Sequence, residues 1–213
     1  MCSSDLSKRS GKNRTSVAGA GVVPEHRPSD RAVRLTLLHE KDPATVVHST
    51  HVATLAVDVA RHLGLDDARL PDLRTAGQLH DIGKIAVPDE LLLEPGPLTD
   101  EELAIVRVHA LAGASLLRAW GLAAPARFVE EHHERVDGAG YPHGLTGDEL
   151  AIESRILQAA DAYMAMTEER PYRAALSRPE AIAELERGSG TQFDRDVVAA
   201  LLAVLAAPVP QAA

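Results

Sequence analysis

His132-His133-Glu134-Arg135-Val136-Asp137-Gly138-Ala139-Gly140-Tyr141-Pro142 closes one helical pattern and opens a loop, and the chain is organised on either side of it. Upstream, Pro125 starts a helix carrying Phe128, Val129 and the paired histidines. Downstream, glycine and proline are too dense from His133 to Gly147 for a regular element.

Further upstream the spacing is helical again. Thr99 and Glu102 form a capping box before Leu103, Val106, His109 or Ala110, and Gly113, which predicts a helix to about Trp120. Pro71 opens a helix with a buried face of Leu73, Ala76 and His80, ending at Gly83. Asp42-Pro43 caps the first helix, where Val52, Leu55, Val59 and Leu63 recur until Gly64. After the loop, Ile152, Ile156, Ala160 and Met164 share a face, followed by helices over Pro179–Glu186 and Asp194–Ala206. With no strand-like alternation and no internal repeat, the expected fold is all-α, a single-domain helical bundle. Residues 1–30, rich in Ser, Lys, Arg and Gly, read as a flexible tail, residues 31–41 as a lead-in, residues 42–207 as the domain and 208–213 as a C-terminal tail.

Composition narrows the function. Aromatics are only 3% of the 213 residues, so the core must be built from Leu, Val, Ile and Ala. The longest apolar stretch, Val197 to Val209, is broken by Pro208 and is shorter than the ~20 residues of a membrane helix. No secretory signal is visible and Cys2 is the only cysteine, which predicts a cytoplasmic protein without membrane attachment. A net charge of −9 argues against a DNA or RNA polymer as partner. Histidine is the unusual residue: there are ten, seven of them between His48 and His133.

His48, His80-Asp81, His109 and Asp161 fall on the apolar faces of separate helices, and His132-His133 end another. A lone histidine on such a face is ordinarily a hydrogen-bonded core or surface residue. Several together on core-facing stripes need partners in common, and metal coordination satisfies them at once.

His80-Asp81-Ile82-Gly83-Lys84, together with the His132–Pro142 stretch about fifty residues later, resembles the HD-GYP family, a branch of the HD superfamily. His48-Ser49 before Val52, His109 before Gly113, Asp161, Arg170-Pro171-Tyr172-Arg173 and Gly190-Thr191-Gln192-Phe193-Asp194 fit the same pattern in order. The resemblance implies an HD-domain bundle that hydrolyses a cyclic dinucleotide: cyclic di-GMP, to linear pGpG or GMP, or cyclic GMP-AMP. It implies two divalent transition-metal ions ligated by His48, His80, Asp81, His109, His132, His133 and Asp161, with Asp81 bridging them. Imidazole and carboxylate ligands without cysteine suit iron or manganese, and also zinc or nickel. Two such ions can hold a bridging hydroxide as nucleophile and stabilise the entering and leaving oxygens.

Catalytic roles fall to Asp81 and Lys84, because Lys84 is placed to neutralise a phosphate oxygen as charge develops. The resemblance further implies substrate contacts from Lys84, Tyr141, Arg170 and Arg173, the arginines being suited to guanine and phosphate acceptors. Plainer readings stand beside these: a helix-terminal cation for Lys84, a loop anchor for Tyr141 and a solvated face for the two arginines.

Four positions depart from the family. Ala44 stands where some relatives carry a third-metal Glu, which predicts two metals. Met164 stands where an Asp often follows the last ligand by one turn, which predicts a lost hydrogen bond to a ligand or to Lys84. His51 replaces a usual Arg and Glu94 a usual Lys. Two other readings compete with the enzyme: a signalling module that binds a cyclic dinucleotide or a protein partner without turnover, and an HD phosphohydrolase acting on another phosphate ester.

Overall fold

A computed structural model describes residues 43–92, 94, 96–169 and 174–207; the expected tails, the lead-in, and Arg170 and Arg173 lie outside them. The regular structure of the described residues is helical: α1 (Pro43–His62), α2 (Leu70–Leu79), α3 (Asp89–Leu92), α4 (Asp100–Ala119), α5 (Ala123–Glu131), α6 (Ile152–Thr167), α7 (Arg178–Gly188) and α8 (Arg195–Ala206). Short 3₁₀ turns span Asp67–Arg69, Ile82–Ala86 and Gly147–Glu149. No described helix is long and apolar enough to cross a membrane.

Local signals set most boundaries. Thr99 and Glu102 form the expected capping box on α4. Ser177 and Glu180 form a second one on α7, and the Asp194 side chain accepts from the first amides of α8. Pro125 does not start α5; it sits inside the first turn of a helix that begins at Ala123, where its missing N–H has no intrahelical partner to lose. Val52, Leu73, Leu117, Val129, Ile156, Leu157, Leu185 and Leu201 form one core at the junction of these helices. Each fully buried aliphatic side chain of this kind contributes about 1.5–3 kcal/mol. α1 packs on α2 and α6, and α4 packs on α5, so the ends of α2, α5 and α6 and the middle of α4 meet on one side of that core.

The expected helix from Pro71 to Gly83 is two elements. α2 stops at Leu79, His80 caps it, and Asp81 adopts φ −94°, ψ 3° before the 3₁₀ turn Ile82–Ala86. Tertiary packing overrides the periodicity here. The turn runs directly against α4, where a Cβ on Gly83 would collide with the His109 carbonyl oxygen and the Gly113 amide, both of them backbone atoms. Only a glycine permits that approach, which ties the segment carrying Asp81 and Lys84 to the helix carrying His109.

Gly83→Ala is therefore expected to lower the unfolding free energy by about 1–3 kcal/mol or more, because backbone cannot yield as a side chain does. Urea melts check this, with Gly96→Ala as the neutral control, since the nearest atom to a Cβ there is a flexible Glu94 carboxylate at 3.6 Å. Equal stability of Gly83→Ala and wild type would show that the two segments can slide apart.

Candidate metal centre

α1 delivers His48, the end of α2 His80, the following turn Asp81, α4 His109, the end of α5 His132 and His133, and α6 Asp161. All seven expected ligands come together. The five imidazoles form a continuous arc with neighbouring centroids at 5.5 Å (His48–His80), 5.4 Å (His80–His132 and His109–His132), 5.0 Å (His109–His133) and 3.9 Å (His132–His133).

One nitrogen of each of four rings is already engaged outward. The Nδ1 atoms of His80, His109 and His132 lie 2.8, 2.8 and 2.6 Å from the carbonyls of Gly77, Val106 and Val129, each three residues earlier. His48 Nδ1 lies 2.7 Å from a Glu168 carboxylate oxygen. Acceptors of this kind require Nδ1–H, which turns the Nε2 atom of each ring inward.

Two of those nitrogens, His80 Nε2 and His132 Nε2, are buried without a hydrogen-bond partner. His133 Nε2 faces His109 Nε2 at 3.1 Å, a contact that needs a shared proton or a common cation. The donors gather as His48, His80 and Asp81 in one group and His109, His132 and His133 in another. Asp81 faces both, with Oδ2 3.4 Å from His80 Nε2 and Oδ1 3.7 Å from His109 Nε2. Asp161 joins the first group, its Oδ1 lying 2.9 Å from His48 Nε2 and 3.6 Å from His80 Nε2. Inward-facing ring nitrogens, two of them without hydrogen-bond partners, divided by a two-sided carboxylate, fit a pair of divalent cations.

The electrostatics agree. Burial, reinforced by His133 and the other neighbouring imidazoles, holds His132 neutral well below the usual histidine range. Burial carries His133 down to about 4 despite Asp161, and it lowers His109 despite Asp81. Burial also pushes His80 down, but Asp81 and Asp161 outweigh it and raise the ring to about 9. Asp81 and Asp161 stay ionised: burial opposes this, and it is outweighed by Lys84 and His80 at Asp81 and by His48 and His80 at Asp161.

Lys84 Nζ donates to Asp81 Oδ2 at 2.7 Å, at the partly open edge of the centre. The Tyr141 ring stacks on His133 with centroids 4.8 Å apart, and the Arg107 guanidinium lies 5.1 Å from the Tyr141 centroid. Arg107, Arg135, Tyr141, Gln158 and Gln192 line a cavity of about 430 Å³ that reaches His132, His133 and Asp161. Gly140 is required where it is, since a Cβ there would strike the backbone at Glu134 and Arg135.

Glu134 had no assigned role from sequence. Its side chain is buried and accepts from the amides of His143, Gly144 and Leu145, so it holds the loop and is no ligand. Its place directly after the two histidines was the available signal. Arg107, two residues before His109, was also missed, because its partner Tyr141 is distant in sequence. Met164 packs against the core and brings no carboxylate to the centre; one turn later Glu168 places one against His48 Nδ1.

A helical domain whose facing elements bring imidazoles and carboxylates together in groups that could hold metal defines the class, and the comparisons with known proteins give its family. Residues 33–197 match the family model described as HD domain. The chain belongs to the HD domain family, which is metal-dependent, and its paired histidines and Gly138–Pro142 loop place it in the HD-GYP branch. It is 39% identical over 166 residues to 3'3'-cGAMP-specific phosphodiesterase 3 of Vibrio cholerae, covering 78% of this chain and 36% of that one. It is 38% identical over 179 residues to a cyclic di-GMP phosphodiesterase of Pseudomonas aeruginosa, covering 83% and 43%. The chain thus spans less than half the length of these relatives. An HDG"Y"P protein of Bdellovibrio bacteriovorus shares the fold, with a TM-score of 0.64 at 20% identity over 83% of this chain and 58% of that one.

Since His80 carries a proton to about pH 9 without metal and must lose it to ligate, metal loading at neutral pH is expected to release a proton. Affinity should rise with pH up to about 9 and then level off at this group. Calorimetric titration in buffers of different ionisation enthalpy measures the proton count, and zero release at pH 7 would show that His80 is already neutral.

Proposed function

We propose that the chain is a metal-dependent phosphodiesterase that hydrolyses cyclic di-GMP to the linear dinucleotide or GMP. The observation that carries this reading is the Asp81 carboxylate, whose two oxygens face separate groups of inward imidazoles. Relatives named as cyclic di-GMP and 3'3'-cGAMP phosphodiesterases support the substrate class.

His48, His80, Asp81 and Asp161 would hold one cation, and Asp81, His109, His132 and His133 the other. When bound, two divalent cations, iron or manganese for this donor set, supply Lewis acidity and an activated water for in-line displacement at phosphorus. The protein's own groups do the rest. Lys84, held at the edge of the centre by Asp81, would set its positive charge against a phosphate oxygen as negative charge grows. Tyr141 fixes the His133 ring by stacking, and burial keeps its hydroxyl protonated, so it serves as wall and donor and not as base. Arg107 places a cation over that wall for the anionic ligand. The cavity volume lies in the range of small-ligand sites, and we assign it to one nucleotide half of the substrate. Arg170 and Arg173 keep their proposed guanine and phosphate contacts on sequence alone.

All seven ligands are retained, which favours turnover over a binding module. Anaerobic reconstitution with iron or manganese, followed by chromatography after incubation with cyclic di-GMP and cyclic GMP-AMP, tests the proposal. Conversion of either supports a cyclic dinucleotide phosphodiesterase, with cyclic di-GMP expected to be turned over faster. Protein carrying two metals that converts neither overturns it. Lys84→Ala is expected to lower turnover roughly 10²–10³-fold while both metals stay bound; loss of metal in this variant would make Lys84 a support for Asp81 instead.

A further inference from the structure

Three of the ligand histidines hand their Nδ1 protons to backbone carbonyls within their own helical turn. His48 does not: its partner is a carboxylate from the far end of the domain's sequence, Glu168, at the C-cap of α6. The same carboxylate spans two rings, Oε2 lying 2.7 Å from His48 Nδ1 and Oε1 2.9 Å from His51 Nδ1. His48 and His51 stand one turn apart on α1, so both Glu168 oxygens are occupied and the carboxylate is fixed in orientation. His48 is buried, Glu168 is 25% exposed and His51 is half exposed, which puts the carboxylate between the centre and the surface.

The consequence is an asymmetry between the two cation positions. A carboxylate behind an imidazole selects the Nδ1–H tautomer and raises the basicity of the opposite nitrogen more than an amide carbonyl does. Of the two donor groups, only the one containing His48 has this support; His109 and His132 rest on carbonyls.

From this geometry we infer that Glu168 is a positioning residue for one cation only, the one held by His48, His80, Asp81 and Asp161, with His51 orienting Glu168. This rests on the metal-centre reading above. Glu168 itself touches neither cation nor substrate.

The test uses Glu168→Ala, Glu168→Gln and His51→Ala in the full chain. In metal-free protein, nitrogen–proton correlation spectra should show a proton held on His48 Nδ1 against Glu168 in wild type, although Asp161 faces Nε2 at 2.9 Å. They should show that Nδ1 proton lost in Glu168→Ala, the ring turning to the Nε2–H form beside Asp161, with the His109 and His132 tautomers unchanged. In a cobalt(II) titration followed by calorimetry and absorption, one of the two ions should bind roughly 10–100-fold more weakly in Glu168→Ala and the other as in wild type. Glu168→Gln, which keeps an acceptor without the charge, and His51→Ala should fall between. Equal weakening of both ions, or an unchanged His48 tautomer in Glu168→Ala, overturns the assignment. If wild type bound no cobalt, the metal-centre reading would fail by itself, while the tautomer measurement would still decide whether Glu168 sets the His48 ring.

Discussion

The Asp81 carboxylate has to reach two sets of imidazoles at once, and the domain is packed so that it can. That depends on a backbone contact: the turn after α2 lies against α4 at Gly83, close enough that the His109 carbonyl occupies the space a Cβ would need. α2 could continue by local preference, yet it ends at Leu79, and the turn that follows is packed against α4 at Gly83. A stretch that breaks the local rule at a functional position is where tertiary constraint is expected to outweigh propensity.

Around that contact lies an arrangement that is unfavourable by itself. Asp81 and four imidazoles are buried and Asp161 and His133 half-buried beside them, with two ring nitrogens left without partners. Burying such groups costs about 1–3 kcal/mol each when unsatisfied. The apolar core on the opposite side, from Val52 and Leu73 to Ile156 and Leu201, is what tolerates it. Cations in the centre would convert the unsatisfied lone pairs into ligands, so binding and folding stability should be linked.

Much of this was legible in the sequence because the ligands obey local periodicity. His48, His109 and Asp161 sit on core-facing stripes, and the capping signals at Thr99 and Asp194 fix helix starts by short-range hydrogen bonds. What the sequence hides depends on distance along the chain. Glu168 meets His48 across 120 residues and Arg107 meets Tyr141 across a loop, and no periodicity encodes either pairing. The end of α2 was hidden for the same reason, since its cause is a backbone atom of another helix. Glu134 was visible as a motif residue, but its three amide partners lie in a loop whose path only the fold defines.

The departures from the family pattern take on a different meaning once the side chains are placed. Met164 removes a carboxylate one turn beyond Asp161, and Glu168 returns one a turn further on; His51, standing where an Arg is usual, provides the second N–H that a two-oxygen acceptor can use. These changes occupy one corner of the site and leave the His109, His132 and His133 group unaltered. Charge follows the same local logic. The chain as a whole carries −9, yet exposed charges are screened over about 8 Å at physiological ionic strength, so the approach of an anionic dinucleotide is governed by what lies at the mouth. There Lys84 and Arg107 stand beside Asp81 and Asp161, Arg135 being paired with Asp137, and a pair of divalent cations would turn that local balance positive.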